Sequence, residues 1–205
     1  MTTHLAYTNV NYGFGTASHT EQIQDIIDKG AKIICYSEMS HHINFEGYRN
    51  LQPFINGQYA DEGMYVSKDF EMKPWNFVDC TDNNFGQKIG NRQFVIMRGH
   101  FPQVGNLKII TGHMPHPRMG EEIYSAYSNT LHRIIARSRV PVMVCMDFNK
   151  RVEDDPCHLN KDYDMKWKGK RIDLWSVAKS IHVPSWWEDL DPTRKDRHPV
   201  VHLVV

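Results

Sequence analysis

The chain has 205 residues, 24 basic and 24 acidic side chains, and a formal net charge of zero. That length suits a single domain whose core can stand alone. The charge balance excludes an overall field as the source of any affinity for a polyanion, so such affinity must come from a local patch. No basic region followed by an apolar stretch opens the sequence, and no run approaches ~18 consecutive apolar residues, so neither a secretory signal nor a membrane span is expected. Cys35, Cys80, Cys145 and Cys157 show no C-x-x-C spacing. They are read as reduced, buried thiols of a soluble cytoplasmic protein.

Residues 5–10 alternate and run into Gly13-Phe14-Gly15, a first strand leaving the core for a loop. Ser18, three residues before Glu21, is a candidate capping box for a helix in which Ile23, Ile26 and Ile27 recur at helical spacing and Gly30 gives the stop. Residues 32–36 form an apolar run of strand length, with Glu38 just beyond it. Further strands are predicted at 63–67, 75–78, 93–97 and 107–111, separated by Gly, Asn, Asp and Pro. A longer helix is predicted over 121–138, with Ile123, Tyr127, Leu131, Ile134 and Ile135 on one face, before the strand 142–146. Residues 150–170 are polar without periodicity and read as an exposed loop. Residues 171–175 and 199–205 are the last two predicted strands, giving an α/β chain of interleaved strands with two principal helices.

Polar residues close or follow several of these apolar runs: Asn9, Glu38, His113, Asp147 with Asn149, Asp173, and Asp196 with His198. Hydrolysis of a phosphodiester needs charge neutralisation at the phosphate, an activated water and help for the departing oxygen. Glu38 is a candidate oxygen ligand for a hard cation such as Mg2+, though an isolated Glu after a strand is more often a solvated surface residue. Asp147 and Asn149, two residues apart, point the same way if the chain stays extended; the alternative is a turn in which each satisfies its own backbone. A carboxylate such as Asp173 on one ring nitrogen of His198 would fix its tautomer and make the other nitrogen a better base. His113, at a second strand exit, could act as an acid or bind phosphate.

In this order, the residues resemble the endonuclease/exonuclease/phosphatase superfamily, the fold of pancreatic DNase and the exonuclease-type apurinic/apyrimidinic endonucleases, over nearly the full length. Thr8-Asn9-Val10-Asn11 is similar to its opening strand, Ile33 through Met39 to the strand ending in "QE", and Thr111-Gly112-His113 to the "T-x-H" strand end. Val142 through Asn149 is similar to the "GDFN" strand and Arg171-Ile172-Asp173-Leu174 to "RIDY". The resemblance implies a four-layered α/β sandwich, two packed mixed β-sheets flanked by helices, with the site at one end. It implies Mg2+ or Mn2+ held by Glu38 and Asn9, with Asp196 as a further ligand, and a His198/Asp173 dyad. It assigns water activation to Asp147, phosphate orientation to Asn149, and phosphate or leaving-group contact to His113. Glu62 matches the acid that assists a catalytic histidine in some members.

The terminal "SDHxPV" of that superfamily appears here as Lys195-Asp196-Arg197-His198-Pro199-Val200, with one residue inserted before His198 and one lost after it. In a continuous strand this shift would turn His198 to the opposite face, unless a local bulge restores it or Arg197 takes its place. The bulge is expected, because Asp173 otherwise lacks an evident partner. Met146 stands for the usual Gly before Asp147, and Ser37 for the usual Gln before Glu38.

These features predict a metal-dependent phosphodiesterase, foremost a nuclease acting on DNA or RNA. Asn149, His113, Arg197 and Lys170 are the expected substrate contacts. The fold alone does not name a substrate. Lys161, Lys166, Trp167, Lys168, Lys170 and Arg171 make either a phosphate-contacting stretch with a stacking aromatic or a solvated Lys-rich loop. The rival readings are a phosphatase for a small phosphate ester or lipid head group, and a degenerate binding protein. A zinc hydrolase built on His113 and His116 lacks the H-E-x-x-H frame.

Overall fold

The computed structural model describes residues 2–11, 15–39, 41–80, 92–169, 172–189 and 198–205. In chain order the elements are β1 (His4–Asn9), α1 (Thr16–Asp28), β2 (Ile33–Ser37), β3 (Tyr48–Leu51), β4 (Phe54–Ile55), β5 (Gln58–Tyr59), β6 (Gly63–Ser67), β7 (Asn76–Asp79), β8 (Gln93–Phe101) and β9 (Gly105–His113). They continue with α2 (Glu121–Ala136), β10 (Val142–Asp147), α3 (Leu159–Tyr163), β11 (Met165–Lys168), β12 (Asp173–Ala178), β13 (Ser185–Asp189) and β14 (Val200–Val204).

Two six-stranded sheets result, in the orders β13-β14-β1-β2-β6-β3 and β11-β12-β10-β9-β8-β7. Each is mixed. The pairs β1/β2 and β9/β10 are parallel, and each needs a crossover that α1 and α2 respectively supply. The remaining pairs in both sheets are antiparallel, as in β1 with β14 and β10 with β12.

Strand alternation sets the layers. Leu5 and Tyr7, Ile33 and Cys35, Met64 and Val66, and Val201 and Leu203 face inward from the first sheet. They meet Val95, Met97, Ile109, Met143, Cys145, Trp175 and Val177 of the second. Trp175 ties the sheets by donating its indole N–H to the Val201 carbonyl at 3.1 Å. On the outer faces, Ala6, Ile34 and Tyr65 pack under Ile23 and Ile26 of α1, and Ile110, Val144 and Met146 pack under Ile123, Leu131 and Ile134 of α2. Helix, sheet, sheet and helix are thus the four layers expected. Because the central strands are covered on both faces, they read as unbroken apolar runs rather than as alternation.

Several local expectations are corrected. The helix α1 begins at Thr16 with Gly15 as its N-cap and no side-chain capping bond, so Ser18 lies inside it and the Ser18/Glu21 box does not form. Residues 150–170 are not a plain loop: they hold short 3-10 turns, α3 and the edge strand β11. Left-handed backbone at Asp155, Cys157, His158 and Asp164 cuts this stretch into pieces too short to show a period. The Asp155 carboxylate organises it, accepting from the backbone of Asn160 and Lys161 and from the Trp167 indole. Trp167 also packs edge-on against Phe148, with ring centroids 5.2 Å apart, so it is a packing residue rather than an open stacking platform. The four cysteines are free and buried. Among the described residues no helix is long and apolar enough to cross a membrane.

On the outer face of the first sheet, His202 is enclosed by Trp187, stacked at 4.7 Å, and by His4, whose Nε2 lies 2.9 Å from its Nδ1. Its Nε2 is 3.0 Å from Asp189, which also pairs with Lys29. Burial, opposed by Asp189, brings the imidazole pKa down to about 4.

Candidate active site

The inward-facing series of five strands changes character at one end. Leu5 and Tyr7 are followed by Asn9, Ile33 and Cys35 by Ser37, Ile109 and Thr111 by His113, Met143 and Cys145 by Asp147, and Val177 and Trp175 by Asp173. Side chains two apart on a strand share a face, so the parity that builds the core also aims these polar groups between the sheets. Register sets them side by side: Asp147 lies opposite His113 on one flank and Asp173 on the other, and Asn9 lies opposite Ser37. Met146 faces the other way, into the layer under α2, and leaves the site clear.

Asn9 reaches across from the first sheet and donates its side-chain amide to Asp147 Oδ2 at 3.2 Å. Its Oδ1 accepts the Asn11 backbone N–H at 3.0 Å, which fixes the amide orientation. Glu38 leaves β2 with a left-handed φ of 62°, a costly conformation for a long side chain. Its Oε1 lies 3.5 Å from His113 Nδ1.

The segment after β10 is a turn, not the extended chain that would have aligned Asp147 and Asn149. Asn149 has φ 52°, and its backbone N–H donates to Asp147 Oδ1 at 2.7 Å. The Asn149 side-chain amide still points into the site, donating to the Met114 carbonyl at 2.8 Å and to His113 Nε2 at 3.0 Å. Because a carbonyl only accepts, the amide orientation is fixed, and Nε2 of His113 is the accepting nitrogen. The imidazole proton then sits on Nδ1, toward Glu38. Burial, reinforced by Arg92, holds the His113 pKa well below the ordinary histidine value, so the ring is neutral near pH 7. Burial and the adjacent Asp173 carboxylate push Asp147 up to about 7.

His198 lies just before β14, outside the ladder, so strand parity does not decide its direction and no bulge is required. Its Nδ1 is 2.7 Å from Asp173 Oδ2. Asp147, Asp173 and His198 each offer a ligand atom, and these atoms all lie within 4.8 Å of one another, an acidic and histidine group able to hold a metal ion. Asp196, Arg197 and Lys170 lie outside the described residues.

Glu62 is fully buried at the entry to β6 and accepts the Gln93 backbone N–H at 3.0 Å, with Arg92 at 3.9 Å. Its contacts among the described residues are thus with Gln93 and Arg92, and burial raises its pKa to about 8. Two contributors escaped the sequence reading. Tyr7, buried on the inner face two residues before Asn9, shares a 2.8 Å hydrogen bond with Ser37 Oγ. Arg92 donates to the His113 carbonyl at 3.4 Å. The inner-face parity with Asn9 was a usable signal for Tyr7, whereas Arg92 carried none beyond its place before a strand. His116 is exposed, and its Nδ1 accepts from Arg118, apart from the cluster.

No family profile matches the sequence, and no curated protein matches it. Solved structures do match in shape. An endonuclease/exonuclease/phosphatase from Bacteroides vulgatus superposes with a TM-score of 0.77 at 16% identity, covering 100% of this chain and 98% of that one. The human Nocturnin catalytic domain with bound sulfate gives 0.73 at 14% identity, covering 99% and 93%. D. rerio TDP2 complexed with a single-strand DNA product gives 0.70 at 11% identity, covering 99% and 98%. Together with the two stacked mixed sheets and the polar group where their strands end, these likenesses show that the chain has the fold of the endonuclease/exonuclease/phosphatase superfamily.

Proposed function

We propose that this chain, as a single domain over residues 1–205, is a divalent-metal-dependent phosphodiesterase that hydrolyses DNA or RNA. The observation that carries this reading is the His198/Asp173 hydrogen bond at 2.7 Å, beside a buried Asp147. A nucleic-acid substrate is supported by the DNA product held by the TDP2 neighbour. Four free thiols suit a reducing compartment such as the cytoplasm.

The donor set fits a hard cation. Glu38, Asp147 and Asp173 crowd carboxylates into a largely buried place, and Asp147 is driven toward neutrality as a result. Relief of that crowding is what a divalent ion offers, and oxygen donors select Mg2+ or Mn2+ over softer metals. Glu38 and Asn9, with Asp196, would hold the ion, whose contribution is charge neutralisation at the phosphate and a more acidic water.

The chain's own groups account for the proton traffic. With its Nδ1–H engaged by Asp173, neutral His198 carries its lone pair on Nε2 and takes a proton from water as the water oxygen bonds to phosphorus. The bond from phosphorus to the leaving oxygen breaks, and that oxygen takes up a proton. Asp147, set between His113 and Asp173 by strand register, is placed to supply it in its protonated form. His113 directs its Nδ1–H toward Glu38, and Asn149 holds that ring in place. Because both amide protons of Asn149 are engaged by His113 and Met114, it acts here as a positioning residue.

A panel of single- and double-stranded DNA and RNA, assayed with and without Mg2+ or Mn2+, tests this reading. Metal-stimulated strand cleavage is the expected result. Release of inorganic phosphate from small esters with no strand cleavage would redirect it to a phosphatase, and no turnover with either would mark a binding protein.

A further inference from the structure

A groove runs along the outer face of the second sheet, between the β7/β8 edge and the C-terminal half of α2. Two adjoining cavities of about 560 and 370 Å3 share Asn76, Ile96 and Arg98, which makes the groove continuous. Lys73, Arg98, Lys108, Arg133 and Arg137 line it, and no carboxylate does. In a chain of zero net charge this is a local excess of five cations. Among the described residues, no carboxylate forms an ion pair with any of them.

Their placement follows from parity. Ile96 and Arg98 on β8, Lys108 on β9, and Asn76 and Val78 on β7 all point to the outer face, away from the core shared by the sheets. Lys108 is only 4% exposed. Its ammonium donates to the Ile134 carbonyl at 3.2 Å, one of three donors it carries. Burial and the neighbouring Arg98 lower its pKa, the signature of a place short of negative charge. Arg133 and Arg137 sit where a helix C-terminus favours cations. That attraction does not explain Arg98 and Lys73 on the facing wall, where like charges gather with no ion-pair partner among the described residues. Trp75 lines the wider cavity with its indole half-buried against the core between the sheets, and Phe77, one residue out of step with Asn76 and Val78, faces away from the groove.

We infer that this groove binds the sugar-phosphate backbone of a single-stranded nucleic acid, at a place separate from the cleavage site. Cations track phosphates, and a groove lined by five of them suits a sugar-phosphate backbone without regard to base sequence. The choice of ligand rests on the nuclease reading, whereas the site rests on the groove's own charge. Lys108 lies five residues before His113 on β9, about 17 Å along the strand. At roughly 3.4 Å per phosphate along a stacked strand, a continuous strand passing round the sheet would need more than about five nucleotides to join the two.

The test is equilibrium binding of a fluorescein-labelled 20-nucleotide single strand, DNA or RNA, to the metal-free full chain across a salt series. The triple variant R98A/R133A/R137A is expected to bind it roughly tenfold more weakly or worse, and the slope of log affinity against log salt should fall by about 2, from ~0.7 per phosphate neutralised. Metal-stimulated cleavage of a tetranucleotide should keep its wild-type rate. Unchanged 20-mer affinity and slope in the folded triple variant would overturn the inference. Should that variant not fold, the single variants Arg98→Glu and Arg137→Glu, both at exposed positions, serve the same comparison. Arginine-dependent binding without cleavage of any nucleic acid would keep the groove and remove the nuclease reading; cleavage with arginine-independent binding would do the reverse.

Discussion

His198 leads into β14 of the first sheet, and its Nδ1 lies 2.7 Å from Oδ2 of Asp173, the first residue of β12 in the second. The proposed base and the carboxylate that orients it therefore come from different sheets. If His198 removes the proton from water, His198→Ala should lower kcat by ~10^2–10^4 with little change in KM. Asp173→Asn should act through the histidine and lower kcat in the same direction. Steady-state kinetics on a cleaved oligonucleotide checks both, and wild-type kcat in H198A would remove the dyad from the mechanism.

Glu38 is the carboxylate assigned to the ion. Glu38→Gln keeps the size and removes the charge, so it should raise the Mg2+ or Mn2+ concentration giving half-maximal activity by roughly 10–100-fold, the scale of lost metal support. A metal titration of activity, with calorimetry of Mn2+ binding as a second readout, distinguishes this from a loss of fold. An unchanged metal midpoint would take Glu38 out of the metal site.

Asn149 combines a left-handed backbone with an amide that holds His113, and two substitutions separate these roles. Asn149→Gly tolerates φ 52° and removes only the amide, so stability should stay near wild type while activity falls. Asn149→Ala loses the amide as well and adds about 1–2 kcal/mol of backbone strain. Thermal melts and kcat of the two variants together make the comparison; equal stability in both would mean the turn tolerates a Cβ.

Gly112, next to His113, faces the layer under α2. A Cβ there would lie 2.7 Å from Phe94 Cδ1, in a ring that is itself buried. Gly112→Ala should cost about 1–3 kcal/mol. For a chain of this length that is a fall in Tm of roughly 2–4 °C per kcal/mol.

His202 gives stability a pH dependence. Its pKa is about 4 in the folded chain against an ordinary 6.5, so between those values the unfolded chain binds more protons. This contribution is fully present above pH 6.5 and is lost as pH falls through about 4, on the order of 2 kcal/mol. Buried Glu62 acts with the opposite sign: its acid is raised to about 8, so its contribution fades as pH rises from 4.5 to 8. Denaturant melts at pH 4.5 and 7 should show a smaller pH effect in His202→Gln than in wild type, and Glu62→Gln should flatten the decline toward pH 8.

Much of the site was legible because each central strand is an unbroken apolar run, so a polar residue at its end stands out. Glu38, Asp147 and Asp173 each lie at the end or the start of an apolar run, and their order along the chain, matched to the superfamily it resembles, assembled them. What could not be read were relationships between strands. The Tyr7 hydroxyl takes meaning only from Ser37 on the neighbouring strand, and Arg92 only from Glu62 and His113. The strands β3, β11 and β13 were missed because they lie at sheet edges with one neighbour each. Edge strands mix Lys, Asn or Glu with aromatics, and a short half-exposed ladder leaves no long period. His198 was misjudged in route and not in destination: strand parity was applied to a residue that precedes its strand.

The placing of β14 between β1 and β13 has a consequence for how the molecule comes into being. A ribosome delivers β1 first, and its outer edge waits unpaired until residues 200–204 emerge and slot in beside it. Until then the nascent chain carries an open β-edge of the kind that recruits stray strands. His198 arrives with that same closing segment, so its pairing with Asp173 and the covering of the β1 edge are acquired in one docking event.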